Sequence, residues 1–441
     1  MSQHSRSQIF NNHRRPLYMG LIIFGAAVVI GLVIASQPSA KVTTDTDKSP
    51  LDKSITATRN KLDVNPSNVV LMVALCQDYL QKVRETADSS YYTRCDQLLS
   101  EAVAKEPQNA SVIAAQALLA YGRHDFTKGL ALAQKAQNLD PNHAAYYGLV
   151  GDGQIELGQY DQAVAAFQSM VSKRPDLSSF NRVAYIREIY GDISGAENAL
   201  NNAVASGSSF PENVAYSQVE LGKLYSRSDL RQAELMNAQA LQTYKQYPPA
   251  LEGLGKIAFA HRDYTKAAHY FEQAFNALPL AQYANDLADT YAVAGNKTMA
   301  AQQYYLAELA FDKSSTGGVN NDFEKATYLT NHSRDLSTAN ALSQQAVANR
   351  PNIFSYDGLA WNWYKQGHYS EAQTTILTAL VMGSHEPVIL YHAGMIAAKT
   401  GQTDQARIYL QQAFADDHDF LESHFSLLDK QAGAKALADL R

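Results

Sequence analysis

The sequence predicts an all-α solenoid of about ten helix hairpins, because a small residue (Ala, Gly or Cys) recurs about every 34 residues along most of the chain. Successive members of the series lie 33 to 39 residues apart. Alanine stands seven residues after nine of the ten positions, and proline often follows twelve residues after them, where it cannot continue a helix. The ten positions are Cys95, Gly129, Ala163, Ala196, Ala233, Ala267, Ala300, Ala339, Ala372 and Ala406.

The segment 355–372 shows the pattern within one unit most clearly. Apolar and aromatic side chains recur at three- and four-residue steps from Tyr356 to Tyr364, which is typical of an amphipathic helix. Gly367 interrupts this run, and a second amphipathic segment follows it. Small residues in both segments, such as Ala360, allow two antiparallel helices to approach closely. The segment therefore predicts a helix hairpin.

Residues 148–175 resemble the tetratricopeptide repeat (TPR) family, and the matching residues are Gly151, Leu157, Gly158, Tyr160, Ala163, Phe167 and Pro175. The C-terminal third also resembles bacterial membrane-anchored TPR proteins of undefined role, through the Arg-Asp-Leu motif at Arg334 and the segment that begins at Tyr391. The resemblance implies a TPR superhelix whose concave inner face binds protein or peptide partners.

The first 62 residues differ in composition from the repeats. Residues 17–35 carry no charge, and these 19 residues would span about 28 Å as a helix, close to the thickness of a bilayer core. Arg14 and Arg15 precede them, which favours a short cytoplasmic N-terminus over residues 1–16 and export of the remainder. We expect a single transmembrane helix over 17–35, and a cleaved signal peptide remains the alternative.

Residues 36–62 are rich in Ser, Thr, Asp and Lys, a composition typical of a flexible linker. We expect the TPR array to occupy 63–441 and to lie outside the cytoplasm. The tail from Phe420 to Leu440 alternates apolar and charged residues, which predicts a C-terminal capping helix with a polar outer face.

Composition and motifs argue against several function classes. The formal net charge is −6 and no basic block occurs, so nucleic acid is not an expected partner. The segment that begins at Gly253 matches a dinucleotide fingerprint only loosely and lies within a predicted helix. The histidines are scattered, without the spacing of a metal site. We expect no catalytic residue, no metal site and no cofactor, and therefore not an enzyme.

In a TPR superhelix the first helix of each hairpin forms the inner face. Trp361 lies two residues away from the expected buried stripe at Trp363, and tryptophan and tyrosine dominate binding hot spots. We expect a C-terminal groove that binds an extended peptide or a partner helix, formed by Tyr328, Asp357, Trp361, Tyr364, Lys365, Tyr391 and Lys399. Burial of these rings within the array is the alternative. The corresponding surface of the middle hairpins includes Tyr185, Glu188, Tyr216, Lys223, Arg227 and Lys256.

The chain contains two cysteines, Cys76 and Cys95. In the family pattern they fall at the positions where the two helices of the first hairpin come closest. The resemblance therefore implies a disulfide between them, which an exported topology favours. The alternative is that the two cysteines are not bonded and serve as small apolar residues at the close contact between the helices.

The sequence thus predicts a membrane-anchored TPR scaffold that binds a protein or peptide partner in its concave groove, as an envelope assembly or adaptor factor. A structural repeat protein that self-associates is one alternative, and a docking subunit for an enzyme complex is another. Self-association would make the molecular mass depend on concentration, whereas a groove binder would stay monomeric.

Overall fold

The computed structural model describes residues 49–381, 385–416 and 430–439. Regular secondary structure in these ranges is entirely helical and comprises 22 α-helices. Asparagine or aspartate side chains cap many of them by accepting hydrogen bonds from the first free backbone N–H groups. The helices are α1 Pro50–Val64, α2 Val69–Thr86, α3 Ser90–Lys105, α4 Ala110–Gly122, α5 Phe126–Leu139, α6 Ala144–Glu156, α7 Tyr160–Lys173, α8 Leu177–Ile189, α9 Ile193–Ser206, α10 Pro211–Ser226, α11 Leu230–Thr243, α12 Pro248–Ala260, α13 Tyr264–Ala277, α14 Ala281–Val293, α15 Lys297–Thr316, α16 Asp322–Asn331, α17 Leu336–Asn349, α18 Ile353–Lys365, α19 Tyr369–Ala379, α20 Pro387–Lys399, α21 Thr403–Asp416 and α22 Lys430–Asp439.

Consecutive helices from α2 to α21 pair into ten hairpins, numbered here from hairpin 1 (α2–α3) to hairpin 10 (α20–α21). The small residues that recur in the sequence lie where the two helices meet, and Ala163, Ala267 and Ala372 have no exposed surface. In hairpin 3, a Cβ atom on Gly151 would lie 2.3 Å from the Phe167 ring, so a larger residue would force the helices apart. The predicted all-α solenoid of about ten hairpins is confirmed.

The predicted flexible linker is wrong for its second half, because residues 50–62 form most of α1. The Ser49 side chain caps this helix and Pro50 occupies its first turn, and both features favour a helix start. Leu51 and Ile55 are buried where α1 packs on α2. A helix that packs on the first hairpin therefore takes the place of the second half of the predicted linker.

The predicted transmembrane helix over 17–35 and the first half of the linker lie outside the described residues. Within the part of the chain that the structure describes, no helix is both long enough and apolar enough to cross a membrane. The membrane anchor stays a prediction.

The helix α22 packs on both helices of hairpin 10. Gly433 comes so close to α20 that a Cβ atom there would lie 2.5 Å from the Tyr391 ring. Ala432 and Leu437 are partly buried against the same apolar cluster. This helix covers the end of the array, as a cap should, while residues 420–429 and 440 of the predicted tail lie outside the described residues.

The array winds so that its second superhelical turn lies on its first. The turn between the two helices of a hairpin forms what we call the upper edge, and the connection that leads into a hairpin forms the lower edge. The upper edges of hairpins 1–4 contact the lower edges of hairpins 7–10, six hairpins further along the chain. We call this contact the seam.

Hairpins 1 and 2 form the first half of the seam. Ala87, at the upper edge of hairpin 1, is buried in one apolar cluster with Leu280 at the lower edge of hairpin 7. In hairpin 2, the Arg123 carbonyl accepts a hydrogen bond of 3.2 Å from the Asn320 N–H, and a His124 ring nitrogen lies 2.6 Å from the Asn320 carbonyl oxygen. The lower edges of hairpins 7 and 8 are therefore held by chain segments almost 200 residues away.

Hairpins 3 and 4 form the second half of the seam. Gly158 adopts a positive φ of 70°, and a Cβ atom there would lie 2.4 Å from the Pro351 carbonyl oxygen. Gly191, the equivalent residue of hairpin 4, would place a Cβ atom 2.9 Å from the His385 ring. Glycine adopts the left-handed backbone of these turns without strain, and its missing side chain leaves room for the close contact with the next turn.

Candidate functional site

The predicted C-terminal groove is filled by its own side chains. Trp361 is 2% exposed and Tyr391 is 1% exposed, while Tyr328 and Asp357 are also buried. The prediction that these residues line an open groove is therefore wrong, and the alternative of burial within the array holds.

The first helix of hairpin 10 covers Trp361. The His392 ring on α20 stacks on the indole at a centroid distance of 4.0 Å, and Tyr364 stacks on it at 4.6 Å. A ring nitrogen of His392 lies 2.9 Å from an Asp357 carboxylate oxygen, which ties α20 to α18. The Tyr391 ring meets the indole edge-on at 6.0 Å. Two successive inner helices therefore close over the tryptophan.

Three of the predicted groove residues keep exposed surface. Tyr364 and Lys365 are half-buried, with the Lys365 ammonium 4.9 Å from the centroid of the Trp361 ring, and Lys399 is exposed. Trp363, which the repeat register places on the buried stripe, is only half-buried. The register thus predicts the wrong order of burial for the two tryptophans.

Ion pairs join successive inner helices along the array. Arg182 on α8 donates to Asp152 on α6 at 2.6 and 2.8 Å, and both side chains are buried. Burial raises the pKa of the Asp152 carboxyl to about 6, while the Arg182 guanidinium acts in the opposite direction. Asp289 and His332 repeat the arrangement between α14 and α16, with 2.9 Å between oxygen and nitrogen. Much of the polar inner face is therefore occupied by contacts within the chain.

Arg227 connects hairpins 4, 5 and 10. Its Nη2 donates to Glu188 on α8 at 2.6 Å and to Glu386 at the lower edge of hairpin 10 at 2.9 Å. Burial and the Glu386 carboxylate raise the pKa of Glu188 to about 7, against the lowering effect of Arg227. This cluster adds a charged contact to the seam.

The inner face is accessible at hairpins 5 and 6. The Lys223 side chain is 58% exposed, and that of Lys256 is 37% exposed. Lys223 Nζ donates to Glu220 at 2.7 Å, and the Glu220 carboxylate raises the pKa of Lys223. Tyr216 lies two helical turns before Lys223 on the same face of α10 and is half-buried. These middle hairpins therefore present an ammonium and a tyrosine to the interior.

A polar cavity of about 520 Å³ lies at the seam between hairpins 1 and 7. No sequence motif indicates it, because its walls come from segments far apart in the chain. The described residues contain no group of three or more His, Cys, Asp or Glu side chains placed to hold a metal ion. The cavity is lined by Thr86, Ala87, Asp88, Ser89, Ser90, Thr93, Pro279, Lys313, Thr316 and Gly317.

The two cysteines of hairpin 1 face each other. Cys76 on α2 and Cys95 on α3 are fully buried, with their Cα atoms 4.6 Å apart and their sulfur atoms within bonding distance. This spacing lies in the range that disulfides occupy. The geometry agrees with the expected bond, and its presence in the isolated protein stays a prediction.

Three segments of the chain match the tetratricopeptide repeat family, at residues 114–178, 252–316 and 358–419. Each match covers most of two consecutive hairpins. The comparison with curated proteins gave no match.

Several solved structures are similar to this chain. PilW, a type IV pilus biogenesis factor, is 16% identical over 46% of this chain and 94% of its own, with a TM-score of 0.39. YrrB, a TPR protein with an unusual peptide-binding site, is 17% identical over 41% of this chain and 92% of its own, with a TM-score of 0.29. Yeast Tom70 is 12% identical over 88% of this chain and 92% of its own, with a TM-score of 0.37. Similarity this weak carries no argument about function.

The family assignment rests on the matched segments and on the hairpins between them. Those intervening hairpins keep the same small contact residues, such as Ala196 and Ala339, both without exposed surface. The ten hairpins follow one another without interruption by another kind of element in the described residues. The described hairpins therefore form a tetratricopeptide repeat array, which matches the family over these three segments.

Proposed function

We propose that this protein is a membrane-anchored scaffold that binds an extended segment of a partner protein on the inner face of its middle hairpins. The accessible ammonium of Lys223 carries this proposal. An ammonium has three N–H donors, and the hydrogen bond to Glu220 uses one of them. The others suit backbone carbonyls or a carboxylate of an extended peptide, and Tyr216 on the same helix face adds an aromatic contact.

The anchor and the location of the array are part of the proposal. The uncharged segment 17–35, preceded by Arg14 and Arg15, supports a single membrane span with the array outside the cytoplasm. The facing pair Cys76 and Cys95 fits an oxidising compartment. A scaffold tethered in this way would act as an assembly or adaptor factor of the cell envelope. In membrane vesicles of known orientation, added protease should digest the array only when the vesicles expose the non-cytoplasmic face of the membrane.

The proposal does not assign a reaction to the chain itself. Its ionisable inner groups, such as Asp152 and Arg182, pair with one another in contacts that join hairpins. A docking subunit for an enzyme complex would use the same inner surface, and the identity of the captured partner would distinguish it from a structural scaffold.

The test is capture of a partner by tagged full-length protein in mild detergent, compared with the Lys223→Ala variant. Lys135→Ala is the matched control, because Lys135 is exposed on α5 in hairpin 2, away from hairpins 5 and 6. We expect the wild type and the control to retain the same partner and Lys223→Ala to lose it. With the purified partner, the dissociation constant should rise ~tenfold or more. Equal affinity for all three proteins would place the binding site elsewhere.

A further inference from the structure

Both ring nitrogens of His332 face hydrogen-bond acceptors. Nδ1 lies 2.7 Å from the Tyr328 carbonyl oxygen, and Nε2 lies 2.9 Å from an Asp289 carboxylate oxygen. A neutral imidazole has a single N–H and can donate to only one of these acceptors, whereas an imidazolium donates to both. The His332 side chain is 9% exposed, so water has little access to replace a lost hydrogen bond. The geometry therefore favours the charged form of His332.

The groups that contact His332 also favour its charged form. Burial acts against the charge, but the hydrogen bond to Asp289 and the charge of that carboxylate raise the pKa of His332 above its ordinary value of 6.5. The Tyr328 carbonyl acts in the same direction, and it belongs to the last turn of α16, where the helix dipole favours a cation. Arg334, in the turn that follows, acts in the opposite direction. The Asp289 carboxylate therefore keeps the proton on His332.

Other ionisable residues of α16 and of the elements packed on it interact with groups of their own. The helix α17 carries no charged residue, and Asp335 before it caps its first turn. Asp286, three residues before Asp289 on α14, interacts with Lys256 on α12. Asp322 begins α16 and lies at the end of the helix opposite His332. The remaining residues and their partners are Tyr304 with Asp289, Glu308 with Arg334, Glu324 with Arg350, Lys325 with Asp312, Asp357 with His392, and Lys365 with the Trp361 ring.

The helix α16 is held by a histidine at each end. Its last turn is joined to α14 through His332 and Asp289. Just before its first turn, the Asn320 carbonyl oxygen lies 2.6 Å from a ring nitrogen of His124, across the seam in hairpin 2. With ten residues, α16 is the shortest first helix among the ten hairpins, so it has few hydrogen bonds within the helix. Its position therefore depends on the contacts at its two ends.

We propose that His332 is a proton-controlled latch, which holds α16 on hairpin 7 while the ring is charged and releases the helix when the ring loses its proton. The neutral ring keeps one of its two hydrogen bonds and loses the ion pair with Asp289. Because Asn320 directly precedes the helix start, release also weakens the seam contact between hairpins 8 and 2. The joint between hairpins 3 and 4 lacks this control, since arginine stays charged and Arg182 is the cation there. The latch is separate from partner binding at Lys223.

The test is hydrogen exchange of full-length protein in mild detergent, measured by mass spectrometry over residues 314–331 at several pH values and corrected for intrinsic exchange rates. The protection factor of the wild type should be highest below pH 6.5, where His332 is charged in both the latched and the released state. Above pH 6.5 it should fall by up to ~tenfold per pH unit until the pH passes the pKa of the latched ring. His332→Gln should lack this fall. His368→Gln is the matched control, because the His368 side chain is 52% exposed, and it should behave as the wild type.

A second variant, Asp289→Asn, keeps the histidine and removes the carboxylate that holds its proton. The fall in protection above pH 6.5 should shrink in this variant, because the pKa of His332 returns towards its ordinary value. A protection factor of the wild type that does not change with pH would overturn the proposal. So would a fall of the same size in His332→Gln. If His332→Gln does not fold, Asp289→Asn decides, and an unchanged fall in that variant would overturn the proposal.

Discussion

Glu156 and Arg350 form an ion pair although 194 residues separate them in the chain. Glu156 is 2% exposed, and Asn352 donates a further hydrogen bond of 2.9 Å to the same carboxylate. The pair joins the end of α6 to the connection before α18, so it holds the second superhelical turn on the first.

The Arg350→Ala variant should lower the free energy of unfolding by ~3 to 5 kcal/mol, because it leaves the buried Glu156 carboxylate without its cation. Urea unfolding followed by circular dichroism measures this loss. Arg407→Ala is the control, since its partner Asp404 has a side chain that is 89% exposed and the pair should contribute less than ~1 kcal/mol. Similar losses in the two variants would contradict a stabilising role of the seam.

Two glycines with the same backbone shape should respond differently to alanine. Gly367→Ala should lower the free energy of unfolding by ~1 to 2 kcal/mol, because the left-handed backbone disfavours alanine while the new methyl group meets no neighbour. Gly158→Ala should lower the free energy of unfolding further, since its Cβ atom would also lie 2.4 Å from the Pro351 carbonyl oxygen. The difference between the two free energies of unfolding isolates the seam contact, and equal values would argue that the two turns do not touch in solution.

Stability should fall as the pH rises from about 5 towards 7. The pKa of Glu188 is raised from its ordinary value of 4.5 to about 7, so the folded chain keeps a proton that the unfolded chain releases in this range. The stabilisation is complete below the unfolded pKa and is lost as the pH passes the folded one. Glu188→Gln should flatten this part of the curve of unfolding free energy against pH. A steeper curve in Glu188→Gln would contradict the assignment.

Reductant should destabilise the protein through hairpin 1. The intact mass of the chain after alkylation should show no free thiol without reductant and two after reduction. Replacing both Cys76 and Cys95 by alanine should lower the free energy of unfolding by ~3 kcal/mol, as expected for a closed loop of this length. Free thiols in protein purified under air would show that the two residues serve only as a close apolar contact.

Iodide quenching should separate the two tryptophans. Trp363→Phe leaves Trp361, which is 2% exposed, and its fluorescence should resist quenching. Trp361→Phe leaves the half-buried Trp363, which iodide should quench more strongly. The opposite order would restore Trp361 to an open groove and make it a binding residue again.

The hairpins are predictable from the sequence and the seam is not. Ala163 and Phe167 report on contacts within one hairpin, which depend on residues close together in the chain. The burial of Trp361 depends instead on which helix follows, and the seam depends on a small rotation per hairpin accumulated over six of them. The helix α1 lies between these cases. Its polar composition hides it, but the cap at Ser49 and the apolar pair Leu51 and Ile55, one helical turn apart, are local signals that could have located it.

The seam also limits how this chain can change length. A solenoid whose repeats touch only their immediate neighbours can gain or lose a unit at any point with local consequences. Here, deleting one hairpin between hairpins 4 and 7 would shift the register of the stacked turns by a whole unit. Glu156 would then face the connection before hairpin 10 instead of Arg350, and Gly158 would face His385 instead of Pro351. The two turns keep each other in phase, so the number of hairpins between them is part of the fold.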